Sequence, residues 1–407
     1  SQEYDIVARY QGGNNAGHTV KNERGKFVLN LLPSGILRPN VVCVMGNGMV
    51  IDPHHLDGEI NKLREQGIEI TPANLKISDR ATITMPYHVE QDGLEEARLS
   101  KTGAQFGSTK RGIAYAYGDK YMKKTLRMGD LLHLDDAVKK RLVTMVDSKN
   151  LVMEGSYNAA PISVDEMWAW LEKYAAIFKD YICDVGQYLA DADAAGKKVL
   201  FEAQLGALRD IDFGIYPYTT SSNVIGAYAP IGAGIPGHKL HNSIGVMKAY
   251  SSCVGDGPFA AELAMTEEEK HALREAGHEY GAATGRPRRV GPIDLVASRY
   301  GVFCQGCDEV ALTLLDVLDY MEKIPMVTAY KLTDGTTTRF PMGEALDTAQ
   351  PVVEYLPGWH CDITAARKWE DLPKEARDYV EYLEKAVGCK ITYISVGAER
   401  EAYIHHV

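Results

Sequence analysis

The chain has no apolar run near the roughly 20 residues that a membrane-crossing helix needs, which excludes a helical span within it. It also lacks an excess of positive charge. With 44 Lys and Arg against 55 Asp and Glu, the formal net charge is −11, and a general affinity for nucleic acid or an anionic membrane surface is excluded. Any Arg cluster is therefore a local, informative feature. Cysteines number seven, an odd count without framework spacing, as expected in a reducing, cytoplasmic setting. Cys304 and Cys307 form one C-x-x-C with no second pair or nearby His to complete a zinc set, so they read as core thiols. The opening SQEYDIVARY has no basic stretch followed by an apolar one, so nothing reads as a signal peptide. There is no internal repeat, low-complexity tract or Gly/Ser/Pro linker, and residues 1–407 are expected to form a single domain.

What is present is an ordinary globular composition, 45% hydrophobic and 24% charged. Short Val- and Ile-rich runs predict strands at 6–9, 41–45, 75–78, 199–202, 310–315, 325–332 and 391–396. Helical patterns lie between them. Ser163–Glu166 and Thr266–Glu269 have capping-box spacing, and Pro373 stands at the start of a helix over 374–387. Strands alternating with helices predict an α/β fold with a mainly parallel central sheet, helices on both faces and long ligand-binding loops.

Five loops carry candidate chemistry. YQGGNNAGHT at 10–19 offers only Asn14, Asn15 and His18 as recognising side chains among small residues that let a backbone approach a ligand; the alternative is a tight turn with a surface His. GAATGRPRRVG at 281–291 holds Thr284, Arg286, Arg288 and Arg289, suited to a carboxylate or phosphate, or else a solvated turn. GSTKRG at 107–112 and YPYTTSSN at 216–223 offer hydroxyls and backbone amides that form phosphate nests or ordinary turns. In LLDVLD at 314–319, Asp316 follows a strand and either accepts from a guanine edge or caps a helix. GAGIPG at 232–237 matches G-x-G-x-x-G, but it contains Pro236 and lacks the strand–helix context of a dinucleotide loop.

Taken in order, YQGGNNAGHT, LPSGIL, GNGMVIDP, GSTKRGIAYAYGDK, DIDFGIYPYTTSSN, KAYSSCVGDGPF, EYGAATGRPRR, LDVLD, LPGW and SVGAERE make the chain resemble the adenylosuccinate synthetase family from about residue 4 to beyond residue 400. The resemblance implies a P-loop-NTPase-like α/β fold, a homodimer, and GTP-dependent ligation of L-aspartate to IMP through a 6-phosphoryl intermediate in AMP biosynthesis. It implies His18 as the catalytic acid on the purine 6-oxygen and the Gly17 carbonyl as a Mg²⁺ ligand. Asn15, Thr109 and Thr220 would hold the purine nucleotide, with Lys123 reaching its phosphate across the dimer. Val254, Thr284, Arg286 and Arg288 would bind aspartate, and Asp316 with Ser395 and Gly397 would take the guanine of GTP.

The sequence departs from the family pattern in several places. The family opens with a strand and a phosphate loop, Trp-Gly-Asp-Glu-Gly-Lys-Gly, whose Asp is the base. No G-x-x-x-x-G-K occurs here, Ser1 corresponds to a point just after that segment, and the chain is expected to omit this start rather than to have lost it. Leu205 stands where the family has an amide near the base, with Gln204 shifted one place. Leu314 replaces a Lys beside the guanine, Lys123 an Arg, and Ala283 a Thr. A related phage and archaeal branch condenses dGMP with aspartate, in part with ATP as donor, and altered base pockets keep that reading open, as they do a catalytically inactive paralogue that binds nucleotides.

Overall fold

The protein is described from a computed structural model covering residues 3–22, 24–104, 107–281, 285 and 287–406. Five parallel strands form one sheet in the order Ile182–Cys183, Leu75–Ser78, Val42–Met45, Ile6–Arg9, Val199–Glu202. Its inner strands are near-continuous apolar runs because both faces are covered. Cys43, Met45, Leu75 and Ile77 point into a core shared with the helices Pro53–Glu65, Asp136–Tyr157 and Val164–Phe178. Ile6, Ala8 and Val44 face the helix Val185–Ala194 and the short helix Ala229–Ala233. The α/β expectation, with helices on both faces, holds.

A second parallel set, Ile244–Lys248, Glu309–Thr313 and Lys390–Ser395, is closed by the antiparallel strand Tyr403–His405. The helix Lys374–Val387 packs Tyr379, Val380 and Leu383 against it. A mixed sheet joins Ile293–Asp294, Lys323–Leu332, Gly335–Thr337 and Gln350–Pro357.

Boundaries differ from the sequence pattern where a dihedral intervenes. The strand expected over 310–315 ends at Thr313 because Leu314 adopts φ +62, a left-handed conformation that cannot continue a strand. Thr266 and Glu269 form the full reciprocal capping box, whereas Ser163 supplies only its half, accepting from the Glu166 amide. Within GAGIPG, Gly232 lies inside the helix Ala229–Ala233 and the left-handed Gly234 caps its end, so the run closes a helix rather than opening one. A Cβ on Gly232 would lie 2.1 Å from the Tyr10 carbonyl, so this glycine serves close packing on the first strand. Cys304 and Cys307 are free and half-buried, and burial raises both thiols, Cys307 to about 11.

Candidate active site

The loop 10–17 leaves the C-terminal end of Ile6–Arg9, where ligands gather in open α/β sheets. Beneath it lies Arg9, 1% exposed. Its guanidinium donates to the Asn30 carbonyl and to Gln204 Oε1. Gln204 Nε2 donates to Asn15 Oδ1 at 3.1 Å, and Asn15 Nδ2 donates to Thr220 Oγ1 at 3.5 Å. Four side chains thus run from a buried charge to the surface of the loop and join two predicted nucleotide contacts that lie 205 positions apart. Gly12, at φ +78, has no room for a side chain, since a Cβ would lie 1.9 Å from Gln204 Nε2. Leu205 does not take part. It is 46% exposed in a left-handed φ of +83, which places the amide of Gln204 inside and the aliphatic chain outside.

His18 begins the hairpin His18–Asn22/Gly25–Leu29, paired with Leu29. Its Nε2 is buried without a hydrogen-bond partner among the described residues and lies 3.6 Å from Glu202 Oε1. Burial lowers the His18 pKa, Glu202 opposes that, and Arg9 adds to it, so the free imidazole is neutral near pH 7. Glu202 is held by Ser34, whose amide and hydroxyl donate to Oε2 at 2.9 and 2.5 Å. Asn30 fixes the peptide before Gly17: its Nδ2 donates to the Ala16 carbonyl at 3.2 Å, and its Oδ1 faces His55 Nε2 at 3.3 Å. In the same loop Asn14 is buried, with Oδ1 unpartnered among the described residues.

Thr109 is exposed at the tip of the loop 107–112. Of the two readings of this loop, phosphate nest or ordinary turn, its hydrogen bonds favour the turn. The amides of Gly107 and Ser108 donate to Glu96 Oε1 at 2.9 and 3.1 Å, and the Ser108 hydroxyl and Gly112 amide donate to Asp92 at 2.6 and 2.9 Å. Carboxylates one turn apart on the helix Pro86–Ser100 already occupy those donors, leaving Thr109 and the side chains of Lys110 and Arg111 for an anion. Lys123 caps the helix Ile113–Met122 at φ +63 and is exposed.

Arg209 connects the next two loops. Its backbone carbonyl accepts from the Thr220 amide at 2.8 Å, and its Nη2 donates to the Val254 carbonyl at 2.9 Å and to Cys253 Sγ at 2.8 Å. Val254 itself is 68% exposed. A Cβ on Gly107 would lie 3.5 Å from Asp256 Oδ2, so the Thr109 and Val254 loops are neighbours. Arg288 donates from Nη1 to Glu279 Oε2 at 2.7 Å. Thr284 and Arg286 lie outside the described residues.

Asp316 sits on the 3₁₀ turn Leu315–Leu318 beyond Glu309–Thr313, the neighbour of Lys390–Ser395. It is not the cap residue, which is Leu314. Its Oδ1 is buried with no donor among the described residues, and burial, then Asp319 and Asp362, raise its pKa. An orphaned carboxylate oxygen at a strand end asks for an external N–H donor. Ser395 and Gly397 leave the adjacent strand at the same edge, with Ser395 Oγ donating to the Gly397 carbonyl at 3.1 Å.

The sequence profile of adenylosuccinate synthetases matches residues 1–404. The chain belongs to the adenylosuccinate synthetase family. It is 42% identical to the adenylosuccinate synthetase of Caldanaerobacter subterraneus subsp. tengcongensis over 99% of this chain and 94% of that one. With the Carboxydothermus hydrogenoformans protein of the same name the identity is 44%, over 99% and 93%. The fully ligated Plasmodium falciparum adenylosuccinate synthetase superposes with a TM-score of 0.91 at 33% identity, over 99% of this chain and 94% of that one. Membership makes this a C–N-bond-forming ligase of purine biosynthesis. Cyanophage S-2L succinoaminodeoxyadenylate synthetase, bound to dGMP and dATP, shares the fold at a TM-score of 0.58 and 17% identity, over 100% of this chain and 88% of that one.

Within this family frame, the sequence pattern missed groups that hold the predicted contacts in place, Glu202, Arg209, Asp92 and Glu279, and marked Gln204 only as an amide shifted one place from the family's position. Glu202 was findable, since it ends a parallel strand, where site residues concentrate. The others sit in helices or turns and carry no local signal.

Proposed function

We propose that the protein ligates L-aspartate to IMP with GTP as the phosphoryl donor. The observation that supports this best is the meeting of Asn15, Thr220 and His18 around buried Arg9, which joins nucleotide-holding amide and hydroxyl groups to an imidazole with a free buried nitrogen. The 6-oxygen of a purine lactam leaves poorly. Phosphorylated by GTP it leaves as phosphate when the aspartate amine attacks C6. Such chemistry asks for positioning and charge stabilisation rather than a protein nucleophile. His18 would carry the proton that meets charge developing on the 6-oxygen. Glu202 Oε1 stands 3.6 Å from its Nε2 without hydrogen-bonding it, so that nitrogen stays open to an entering nucleotide.

Thr109 and Thr220 would take the nucleotide phosphate, with Leu205 beside the base. Val254, Thr284, Arg286 and Arg288 would receive aspartate. Asp316 would accept from the guanine edge of GTP, alongside Leu314, Ser395 and Gly397. The residues around Gly17 fit a Mg²⁺ ion bound mainly through substrate phosphates. That ion takes few protein oxygens, and the loop offers the Gly17 carbonyl together with the unpartnered Asn14 Oδ1. Bound there, it would neutralise charge on the transferring phosphoryl group. A homodimer would bring Lys123 to the partner's nucleotide, and a cytoplasmic location is part of the same reading. Among the described residues no helix is long and apolar enough to cross a membrane.

The test is aspartate-dependent phosphate release by the protein with Mg²⁺, pairing IMP or dGMP with GTP or ATP. Preference for IMP with GTP supports the proposal. Preference for dGMP would make Leu205 and Leu314 the marks of a rebuilt base pocket, and no turnover with any pair would overturn the ligase assignment for this chain.

A further inference from the structure

The charge cluster behind Arg288 has no part in the chemistry described so far. Glu279 is 1% exposed, follows the helix Glu267–Ala276 and receives three donors: Lys248 Nζ at 2.5 Å, Tyr250 OH at 2.6 Å and Arg288 Nη1 at 2.7 Å. Lys248 comes from the end of the strand Ile244–Lys248, and its Nζ also donates to Ser252 Oγ at 2.7 Å. Burial pushes the Glu279 pKa up, but Lys248, Tyr250 and Arg288 together hold it below the usual range, so it is ionised. One buried carboxylate shared by two cations leaves a net charge of about +1 at this spot.

Arg288 is fastened at three points. Its amide donates to the Glu279 carbonyl at 2.9 Å, its carbonyl accepts from Arg274 Nε at 3.0 Å, and its Nη1 is taken by the Glu279 side chain. Its Nε is buried and has no partner among the described residues. A guanidinium engaged along one edge keeps its Nε side for a second carboxylate, and a fork held in one orientation loses less entropy on binding one.

We infer that Glu279 is a positioning residue of the amino-acid site: it holds Arg288 by Nη1, presents the Nε edge to a substrate carboxylate, and with Lys248 sets the local charge to receive a dicarboxylic amino acid. This rests on the reading of Arg288 as an aspartate contact.

The experiment measures steady-state kinetics for Glu279→Gln, Glu279→Asp, Arg288→Leu and the double variant Glu279→Gln/Arg288→Leu, with each substrate varied in turn and thermal unfolding followed in parallel. Glu279→Gln is expected to raise KM for aspartate about tenfold or more while leaving KM for both nucleotides within about twofold. Glu279→Asp, which keeps the charge but shortens its reach, should fall between it and the parent and serves if the glutamine variant does not fold. In the double variant, Glu279→Gln should add nothing to the loss already caused by Arg288→Leu. Parallel rises in all three KM values, or a lower melting temperature with aspartate KM unchanged, would overturn the positioning role. If Arg288→Leu itself leaves aspartate KM unchanged, the aspartate-site reading fails; if it raises that KM and Glu279→Gln does not, only the role of Glu279 fails.

Discussion

Single side chains decide the chemistry around Arg9. His18→Ala removes the only described imidazole in the opening loop, and a general acid contributes on the order of 10²–10⁴ in rate. A fall in kcat of at least about 100-fold is expected, with little change in melting temperature because the residue serves a ligand loop; turnover within a few-fold of the parent would refute the role. Gln204→Leu strands a guanidinium N–H of a buried Arg and releases Asn15. It should cost about 1–3 kcal/mol of stability and raise KM for the purine nucleotide above that for GTP, as initial rates with each nucleotide varied would show. This scale also shows why the site was only partly legible. Asn15, Thr220 and His18 announce themselves as polar groups among glycines and hydroxyls. Gln204 does not, because its importance comes from a contact with Arg9 across 195 positions and from the left-handed turn at Leu205.

Between elements, two buried acids organise the nucleotide loops. Asp92 ties 107–112 to the helix Pro86–Ser100 through two donors, so Asp92→Ala should free the Thr109 loop. The expected result is a KM for the purine nucleotide raised by about tenfold with aspartate KM held, and equal effects on both would argue for general loosening. Asp119 joins that helix to Ile113–Met122: His88, fully buried, accepts the Met85 amide at Nδ1 at 3.0 Å and donates from Nε2 to Asp119 at 2.9 Å, while Lys149 closes the triad at 3.0 Å. Burial is the main reason the pKa of His88 falls below its ordinary 6.5, as it is for His18 and His55. A histidine with a depressed folded pKa binds its proton more readily when unfolded. Stability contributed by the neutral ring is therefore full above about pH 6.5 and is lost as pH falls through the lower folded values. Melting temperature should drop between pH 7.5 and 5.5. His88→Gln, which retains a donor and an acceptor, should flatten that slope, and an unchanged slope would place the acid sensitivity elsewhere. Neither acid was marked in the sequence as a site residue, because helical acids look like solvated ones until the fold buries them.

Across the whole molecule, the parallel strands were the most legible feature, because burial on both faces writes them as short Val- and Ile-rich runs. The hairpin from His18, the strand Gln350–Pro357 and the short or glycine-containing parallel strands Ile182–Cys183 and Ile244–Lys248 were not, since their apolar residues are too few or too mixed with polar ones to read as such runs. The surface near Lys123 bears on assembly. Tyr121 and Met122 are 69% and 58% exposed at the end of Ile113–Met122, and Leu151 is 77% exposed on Asp136–Tyr157. Lys124 Nζ, just past the first helix, donates to Ser148 Oγ at 3.1 Å, which ties this segment to the second helix one turn before Leu151. Exposed large apolar groups gathered beside a cation predicted to serve a neighbouring active site are what a two-fold interface would cover. Met122→Glu places charge in that surface without touching the core. On the proposed homodimer, it should shift sedimentation from dimer towards monomer and raise KM for the purine nucleotide in step with dissociation, because Lys123 would then be withdrawn from the partner's site. Added protein should recover activity as concentration drives reassociation. A variant that sediments like the parent, or a monomer with undiminished nucleotide affinity, would separate Lys123 from the nucleotide site and leave each protomer complete by itself.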